Sequence, residues 1–461
     1  MAGSDMANLR AYPKPTRPPA PPFHKIIYVM KTKYLLLALL SLSALAFQGC
    51  IKDKCSKTIT YTRYDPVYKT LEEVHHSEVL REAPRALKTP GQINYYDNRM
   101  FVVEKAEGIH VINNADPSNP VNTEFIAVPG ISDLAIKDGY LFVNSFVDLL
   151  VINLQDYTVA GRTENVLQPL YWDQVKGQIL IDYKEVKVTE EVDCADRDQL
   201  QNFNGNWVKW GGGALDDAAF DPVLESAQNN SGGSGKVGIG GSLSHFTIIG
   251  DYLYTIQHDG YDLEIYDVSS PTNPSHAVSV PVGVHLETLF PYGDKLFVGS
   301  NVGMYIYDNS NPLNPVQLSV FEHARACDPV YVSGNYAYVT LWDGSACGAG
   351  PNQLDVIDIS DLLHPVLKQS FAMKNPHGLS VKGNTLLLCE GDYGLEAYDN
   401  SNPETVGNHL LDAVKDFHAL DVIALPGSNN VAMVIGDDGF YQYDFNDPAS
   451  LKFLSKILIE K

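Results

Sequence analysis

The chain has 461 residues, of which 44% are apolar, so it can bury a large core, and at about 100 to 200 residues per domain it would form two or three domains unless it is built from repeats. Its 56 acidic and 33 basic residues give a net charge of −23. This balance argues against nucleic acid as a partner, because phosphate binding needs clustered Lys and Arg, and no basic patch occurs in the part expected to fold. We expect the acidic surface to serve mainly solubility.

The first 49 residues are not expected to belong to the folded protein. Residues 1–29 are rich in proline and lack a folding pattern, so we interpret them as an upstream extension, with the true start at Met30. Residues 30–49 begin with two lysines and continue with an apolar run from Tyr34 to Phe47. This run is shorter than the roughly 20 residues that cross a bilayer, so it predicts a signal peptide rather than a membrane helix.

Cys50 comes just after the apolar run and follows the small residue Gly49. The arrangement resembles the lipobox of bacterial lipoproteins, which implies that Cys50 is acylated and that residues 50–86 form a lipidated tether and lead-in segment. The alternative is a plain secretory signal cut near Gly49. The sequence IKDK after Cys50 loosely resembles the tag that directs Bacteroidetes lipoproteins to the cell surface. We therefore expect an outer-membrane lipoprotein, with surface exposure implied by the partial tag.

Residues 304–315 read MYIYDNSNPLNP, and related stretches recur along the chain. Each ends an apolar run on an Asp or Asn, which we call the anchor, and the anchors are Asn113, Asn153, Asp267, Asp308, Asp358, Asp399 and Asp444. A spacing of about 41 residues is typical of propeller blades. The unit around Asp308 predicts four strands, ETLF, KLFVGS, GMYIYD and VQLSVFE, separated by turn residues. The nearly continuous apolar runs indicate sheets that are buried on both faces.

The repeat predicts an all-β fold for residues 87–461, a single closed β-propeller of about eight four-stranded blades. The eighth unit would be a degenerate copy at residues 179–192, and the polar segment 193–241 is interpreted as a mobile insertion. Seven blades is the alternative, if residues 172–192 only decorate the propeller. The anchor side chain is expected to bond to the backbone two residues on and so to form a hinge between strands.

Three motifs connect the chain to a known family. LDVIDIS, LEIYDVSSPTNP and RACDPVYVSGNYAYVTLWDGSACG resemble the LVIVD-repeat proteins of Bacteroidetes, and the resemblance covers most of residues 87–450. The resemblance implies a propeller fold and localisation as a lipoprotein. It implies no chemistry, because the function of that family is uncharacterised.

The cysteines of the folded part fall into separate groups. Cys327 and Cys347 flank the extra residues before Asp358 and should be neighbours at one rim, so we predict a disulfide between them rather than a metal pair. Cys389, in TLLLCEGD, is predicted to be a buried thiol within a strand. The pairing of Cys55 and Cys194 stays open.

Polar residues recur where each innermost strand should begin. Counting back eight residues from the residue that opens the second strand of each unit gives Ser132, Ser244, Glu287, Asp328, His377 and His418. We predict that they ring the mouth of the central channel, where they would bind a metal or a polar ligand. The alternative is that they are simply the wet lining of a channel mouth. No catalytic residues are assigned, because the sequence contains no nucleophile elbow, HExxH motif, phosphate loop or nucleotide fingerprint.

The favoured function is that of a membrane-anchored extracytoplasmic lipoprotein whose propeller acts as a binding or scaffold module for a protein, peptide or glycan. One alternative is a metal-dependent enzyme that uses the polar ring, and another is a structural part of an outer-membrane envelope assembly. The absence of catalytic motifs argues against the enzyme. No cofactor is predicted, and the sequence leaves the ligand, the metal, the side of the membrane and the oligomeric state open.

Overall fold

The computed structural model describes residues 56–169, 171–193, 201–203, 206–210, 230–231, 237, 239–240, 245–257, 260–282, 284–300, 302–322, 330–345, 348–427 and 430–460. These residues fall into two compact units that divide after Thr62, Val186 and Lys209. In this part of the chain no helix has both the length and the apolar character needed to cross a membrane.

The chain enters the fold through two strands and one short helix. They are β1 (Ser56–Thr70), α1 (Leu71–His75) and β2 (Leu80–Glu82). Thr70 caps α1: its hydroxyl accepts the N–H of Glu73, and the Glu73 carboxylate accepts the N–H of Thr70, which is a capping box. Val74 of α1 is fully buried and packs with Val147 and Ile179.

Two sheets follow. Sheet 1 contains β3 (Pro90–Tyr96), β4 (Arg99–Glu104), β5 (Gly108–Asn113) and β6 (Val121–Ala127), with β2 added outside β6. Sheet 2 contains β7 (Leu134–Lys137), β8 (Tyr140–Ser145), β9 (Asp148–Asn153) and β10 (Val159–Thr163).

The next segment interrupts the repeat. Its strands are β11 (Trp172–Asp173), β12 (Gln178–Asp193), β13 (Gln201–Phe203), β14 (Asn206–Trp210), β15 (Asn230–Ser231) and β16 (Ile239–Gly240). β16 pairs antiparallel with β3 of sheet 1.

Five further sheets complete the chain. Sheets 3 and 4 contain β17 (Phe246–Ile249), β18 (Tyr252–Ile256), β19 (Asp262–Asp267), β20 (Ser275–Pro281), β21 (Leu286–Gly293), β22 (Lys295–Ser300), β23 (Gly303–Asp308) and β24 (Val316–Glu322). Sheets 5 and 6 contain β25 (Val330–Ser333), β26 (Tyr336–Ser345), β27 (Gly348–Asp358), β28 (Val366–Ala372), β29 (Leu379–Lys382), β30 (Thr385–Cys389), β31 (Leu395–Asp399), a 3-10 helix (Pro403–Asn408) and β32 (Leu410–Val414). Sheet 7 contains β33 (Ala419–Ala424), β34 (Val431–Gly436), β35 (Gly439–Asp444) and β36 (Lys452–Leu458).

Sheets 1 to 7 share one topology: in the described part of the chain, each contains four consecutive antiparallel strands. The strands predicted around Asp308 are confirmed, because β22, β23 and β24 have the bounds of KLFVGS, GMYIYD and VQLSVFE. The anchor turns are confirmed as well. Asp308 Oδ1 accepts the N–H of Ser310 at 3.0 Å, and Asp358 makes the same bond to Ser360 at 2.9 Å.

The described residues form eight sheets, as many as the predicted blades, but the five-stranded eighth sheet is not a repeat unit. The expected degenerate copy at residues 179–192 lies within the single long strand β12. In the eighth sheet, β12 is the neighbour of β1, and the strand order is β11-β12-β1-β14-β13. Among the described residues the repeat therefore gives seven four-stranded meanders, which is the alternative count, because β12 pairs on one side with the two-residue strand β11 and on the other with β1, which is distant in sequence.

The core lies between successive sheets of the larger unit. Phe101 of sheet 1 packs in one cluster with Leu141 of sheet 2, and the following sheets are joined by similar clusters. Met433 and Ile435 of sheet 7 share a cluster with Met100 of sheet 1. Third strands such as β5, β9, β23 and β35 are buried at five of their six positions, as expected for sheets covered on both faces.

Candidate functional site

The candidate site lies at the edge where the first strand of each sheet begins and the second strand turns into the third. His377 precedes β29 of sheet 6, and His418 precedes β33 of sheet 7. Asp392 and Asp437 occupy the turns after the second strands of the same two sheets, and Trp342 lies near the end of β26 in sheet 5. We call these five residues the rim site.

Backbone hydrogen bonds fasten sheets 6 and 7 together at this edge. The N–H of Gly378, next to His377, donates to the carbonyl of Leu420 in sheet 7 at 2.9 Å. Gly391 and Ala419 exchange backbone hydrogen bonds of 3.1 and 2.9 Å, so the turn of sheet 6 pairs with the beginning of the first strand of sheet 7. Gly391 has a φ of +51°, and a Cβ there would lie 2.2 Å from Asn375 Nδ2, so only glycine fits this junction.

His377 is the most enclosed member of the rim site. Its ring centroid lies 4.5 Å from that of Trp342 and 6.0 Å from that of His418. Burial and the nearby His418 lower the pKa of His377 to about 4, although Asp392 opposes the shift. His377 is therefore neutral at pH 7. Its Nε2 is sheltered from solvent and has no hydrogen-bond partner.

His418 lies between two carboxylates. Its Nδ1 is 3.4 Å from Asp437 Oδ1, and its Nε2 is 3.8 Å from Asp392 Oδ1. Neither contact is a close hydrogen bond, and Nδ1 is without a hydrogen-bond partner. The side chains of Asp392 and Asp437 are 85% and 52% exposed, so both carboxylates face solvent at this edge.

Glu390 lies directly beneath this surface. It is fully buried, and its Oε2 accepts the backbone N–H groups of Lys374 and Asn375 at 3.0 and 2.7 Å. Burial, with the carboxylate of Glu396 close by, raises the pKa of Glu390. Its Oε1 has no partner, so this short part of the fold holds three of the eight buried side-chain atoms that lack a hydrogen bond among the described residues. Such a concentration of unused polar atoms is expected where a ligand or ordered water binds.

The structure brings together two of the six predicted rim residues, His377 and His418. Ser132 is exposed, and both its N–H and its hydroxyl donate to Asn144 Oδ1, at 2.8 and 3.2 Å. Glu287 lies in β21 at a register shift between Leu286 and Thr288. The remaining predicted residues lie outside the described part of the chain, and they are Ser244, Asp328, Cys50, Cys327, Cys347, Cys55 and Cys194.

The predicted ring of six therefore stays a prediction. Within the described ranges, no three His, Cys, Asp or Glu side chains are grouped so that they could hold a metal ion. Cys389 is a free, fully buried thiol in β30, as predicted.

Sequence reasoning missed Trp342, Asp392, Asp437 and Glu390. The repeat register predicted residues only at the start of each first strand, whereas these residues lie at the ends of second strands or in the turns after them. Both structural elements meet at one edge of an antiparallel sheet. The turn sequences GDYG and GDDG, in which an Asp directly follows a glycine, were the available signal.

Other histidine and acid contacts have structural roles. His75 Nδ1 lies 3.0 Å from the buried carboxylate of Asp148, which also accepts from Arg162 at 2.7 Å and so holds α1 on sheet 2. On β20, Ser279 and His276 both contact Glu264 Oε2 at 2.6 Å. They do not form a catalytic triad, because the serine and the acid approach the same nitrogen, Nε2, of the histidine.

The chain contains recognisable repeats. The LVIVD repeat model matches residues 240–281 and 324–373, which cover sheets 3 and 5. A comparison with curated proteins gives no match.

Several solved structures resemble the fold. BamB from Moraxella catarrhalis is 8% identical, with a TM-score of 0.44, and the match covers 83% of this chain and 98% of that one. The computationally designed Ika8 protein is 10% identical, with a TM-score of 0.45, over 81% of this chain and 90% of that one. A functionally unknown protein from Desulfotomaculum acetoxidans is 10% identical, with a TM-score of 0.44, over 70% and 80%. The seven meanders and the LVIVD repeats give the chain an all-β repeat fold of the β-propeller type.

Proposed function

We propose that the chain is a membrane-anchored extracytoplasmic lipoprotein whose propeller is a binding module for a protein, peptide or glycan, and that the rim site receives the ligand. The observation that carries the proposal is the pairing of His377 with His418 beside Trp342, where buried polar atoms lack partners. An aromatic surface with a few convergent polar groups is the usual composition of a ligand site.

We also propose that sheets 1 to 7 close into a ring. Cyclic packing supports this, because sheet 7 shares a cluster with sheet 1. The asparagine that follows the anchor adds support. In sheet 6, Asn400 exchanges hydrogen bonds with Tyr338 of the preceding sheet 5, and in sheet 1 the equivalent Asn114 exchanges them with Gln442 of sheet 7. Sheet 7 thus packs on sheet 1 on the side where a preceding sheet would pack in the repeat.

In a closed ring the rim site would lie at the mouth of a central channel. The first strands of successive sheets contact one another: β25 contacts β29, and β29 contacts β33. In a ring these strands would surround a central channel, and the residues before them would line its mouth. Loops at such a mouth are free to vary without cost to the core, which suits them for recognition.

The binding role is tested by screening the purified protein for thermal shifts with metals, glycans and peptides, because a ligand of the native state raises its apparent stability. A ligand found in this way should lose its effect in the His377→Ala/His418→Ala double variant. The variant itself should melt close to the wild type, because half-buried rim side chains contribute little packing. A ligand that still binds the double variant would show that the rim site is not the place of binding.

The matched control is Ile306→Ala. Ile306 is fully buried in the core between sheets 4 and 5, and its truncation should cost about 2 to 5 kcal/mol whatever the function is. The pair of variants separates loss of binding from loss of fold.

The lipoprotein assignment rests on the sequence around Cys50 and is tested in cells of a host that acylates lipoproteins. We expect Cys50→Ala to move the protein from the membrane fraction to the soluble fraction, since the acyl chains would be its anchor. Retention of the variant in the membrane, together with an unmodified mass for the wild type, would contradict the assignment. Protease added to intact cells then distinguishes surface display from a periplasmic location.

A further inference from the structure

We propose that the rim site binds a positively charged nitrogen group, a guanidinium or an ammonium, carried by a basic peptide. This inference rests on the binding role proposed above and names the chemistry of the ligand. The rim site combines exposed carboxylates, an indole and imidazole nitrogens from three successive sheets, 5, 6 and 7.

The charge of the surroundings favours a cation. Asp392 and Asp437 are both exposed and lie on either side of His418, and the chain as a whole has a net charge of −23. Two basic residues precede the histidines by three positions. Lys374 is bound to the carboxylate of Glu396, and Lys415 is followed in the sequence by the acidic Asp416. An anionic ligand would meet repulsion here, and a cationic one would be attracted.

The aromatic part of the site suits the same ligand. Trp342 is partly exposed at this edge, and its indole is the aromatic side chain that attracts cations most strongly. His377 packs against it at 4.5 Å between ring centroids. Because His377 is neutral at pH 7, it supports the indole without adding a positive charge that would oppose the ligand.

The hydrogen-bonding groups also match. The exposed carboxylates of Asp392 and Asp437 are acceptors only, and the neutral imidazole of His377 keeps one acceptor nitrogen. A guanidinium supplies five N–H donors and no acceptor, and its planar shape fits both a carboxylate pair and an indole face. A neutral saccharide would use the indole and the acceptors but would gain nothing from the charge. The combination therefore points to arginine or lysine side chains.

The test uses a fluorescently labelled arginine-rich peptide and its counterpart in which citrulline replaces arginine, which removes the charge and keeps the shape. Binding to the purified protein is measured by fluorescence anisotropy. We expect the arginine peptide to bind about tenfold or more tightly than the citrulline peptide, and its affinity to fall as salt rises from about 0.05 to about 0.5 M.

The variants Asp392→Asn and Asp437→Asn should each lower the affinity for the arginine peptide by about twofold to fivefold, and the double variant should lower it by about tenfold. Asp361→Asn is the matched control, because Asp361 is also an exposed aspartate, with 62% of its side chain exposed, but lies in the loop after the anchor of sheet 5, away from the rim site. Its affinity should equal that of the wild type. Equal binding by the double variant would show a general attraction to the acidic chain and would overturn the inference.

Other outcomes separate this inference from the proposed function. If the citrulline peptide or maltohexaose binds as tightly and the His377→Ala/His418→Ala variant abolishes that binding, the rim site binds a ligand but does not select a cation. If spermine binds as tightly as the peptide, the source of the cation is a small polyamine, and the peptide assignment is wrong. Absence of arginine-peptide binding overturns the inference too, whereas the thermal screen with other ligands still decides the binding role.

Discussion

Glu104 of sheet 1 and Glu390 of sheet 6 occupy the same position in the repeat, each nine residues before the anchor. Glu104 accepts the backbone N–H groups of Lys88 and Thr89. Glu390 accepts those of Lys374 and Asn375, which lie at the same distance upstream in the sequence. Both carboxylates therefore hold the segment that leads into the first strand. In sheet 6 that segment carries His377, so the position of the rim histidine depends on a buried acid.

The two carboxylates differ in the side chain six residues further on. His110 Nε2 lies 2.9 Å from Glu104 Oε2, whereas the equivalent neighbour of Glu390 is another acid, Glu396. Hydrogen bonds from His110 and the Thr89 segment outweigh burial and lower the pKa of Glu104 to about 2. Burial and Glu396 raise the pKa of Glu390. One repeat position thus has opposite titration behaviour in two sheets.

The first prediction is that Glu104→Gln destabilises the protein at pH 7 by about 3 kcal/mol, the value of a pKa shift from 4.5 to about 2 in a buried group. Because the folded-state pKa is lowered, this stability is present above the ordinary pKa and is lost as pH falls from about 4.5 to about 2. Denaturant unfolding across that range should show the wild type and the variant converging at low pH. The control Glu107→Gln, at a side chain 57% exposed, should change little.

The second prediction is that Glu390→Gln destabilises less than Glu104→Gln at pH 7. Glutamine keeps an acceptor for the two N–H groups and removes a buried charge near Glu396. Because the folded-state pKa of Glu390 is raised, the wild type loses stability as pH rises through that pKa, and the neutral variant does not. Unfolding free energies should therefore favour the variant increasingly above the ordinary pKa of a glutamate. A loss as large as that of Glu104→Gln, unchanged with pH, would contradict the assignment of opposite shifts.

Local sequence patterns predicted the strands and turns well. The alternation of apolar runs with Asp and Gly turns in β22 to β24 is decided by neighbouring residues, so the sequence contains the information. The number of blades depended on pairing between distant segments. β12 forms a short hairpin with β11 but also pairs with β1, a partner more than a hundred residues away, which the period of the repeat does not reveal.

The site was predicted in part for the same reason. The register of the first strands identified His377 and His418. Their contact with Trp342 of sheet 5 depends on how adjacent sheets meet, and the unpaired atoms of the site depend on burial. Neither the contact between sheets nor the burial of an atom can be predicted from the residue spacing within one repeat.

The third prediction concerns Cys327 and Cys347, which stay a predicted disulfide. Mass spectrometry of the non-reduced protein after proteolysis should find the two cysteines linked, and reduction should separate them. A bridge that closes about 20 residues contributes roughly 3 kcal/mol in the chain-entropy model, so Cys327→Ala/Cys347→Ala should lower the melting temperature. Finding both thiols free in protein purified from an oxidising compartment would show that the prediction is wrong.

The fourth prediction tests ring closure through Asn114 and Gln442. The two side chains are almost fully buried and exchange hydrogen bonds of 2.9 and 2.8 Å between sheets 1 and 7. Asn114→Ala or Gln442→Ala leaves the other amide without this partner, and each should cost about 1 to 3 kcal/mol. In a double-mutant cycle, a pair in direct contact should show a coupling energy of about 0.5 to 3 kcal/mol.

The control for this cycle is Tyr338 and Asn400, the equivalent pair between sheets 5 and 6. Those sheets are consecutive in the chain, so their coupling is expected whether the array is open or closed. Coupling between Asn114 and Gln442 is expected only if the last sheet packs on the first, because the two residues are separated by almost the whole propeller sequence. Coupling in the control pair together with additive effects at Asn114 and Gln442 would therefore identify an open array, and the central channel whose mouth the rim site would line would not exist.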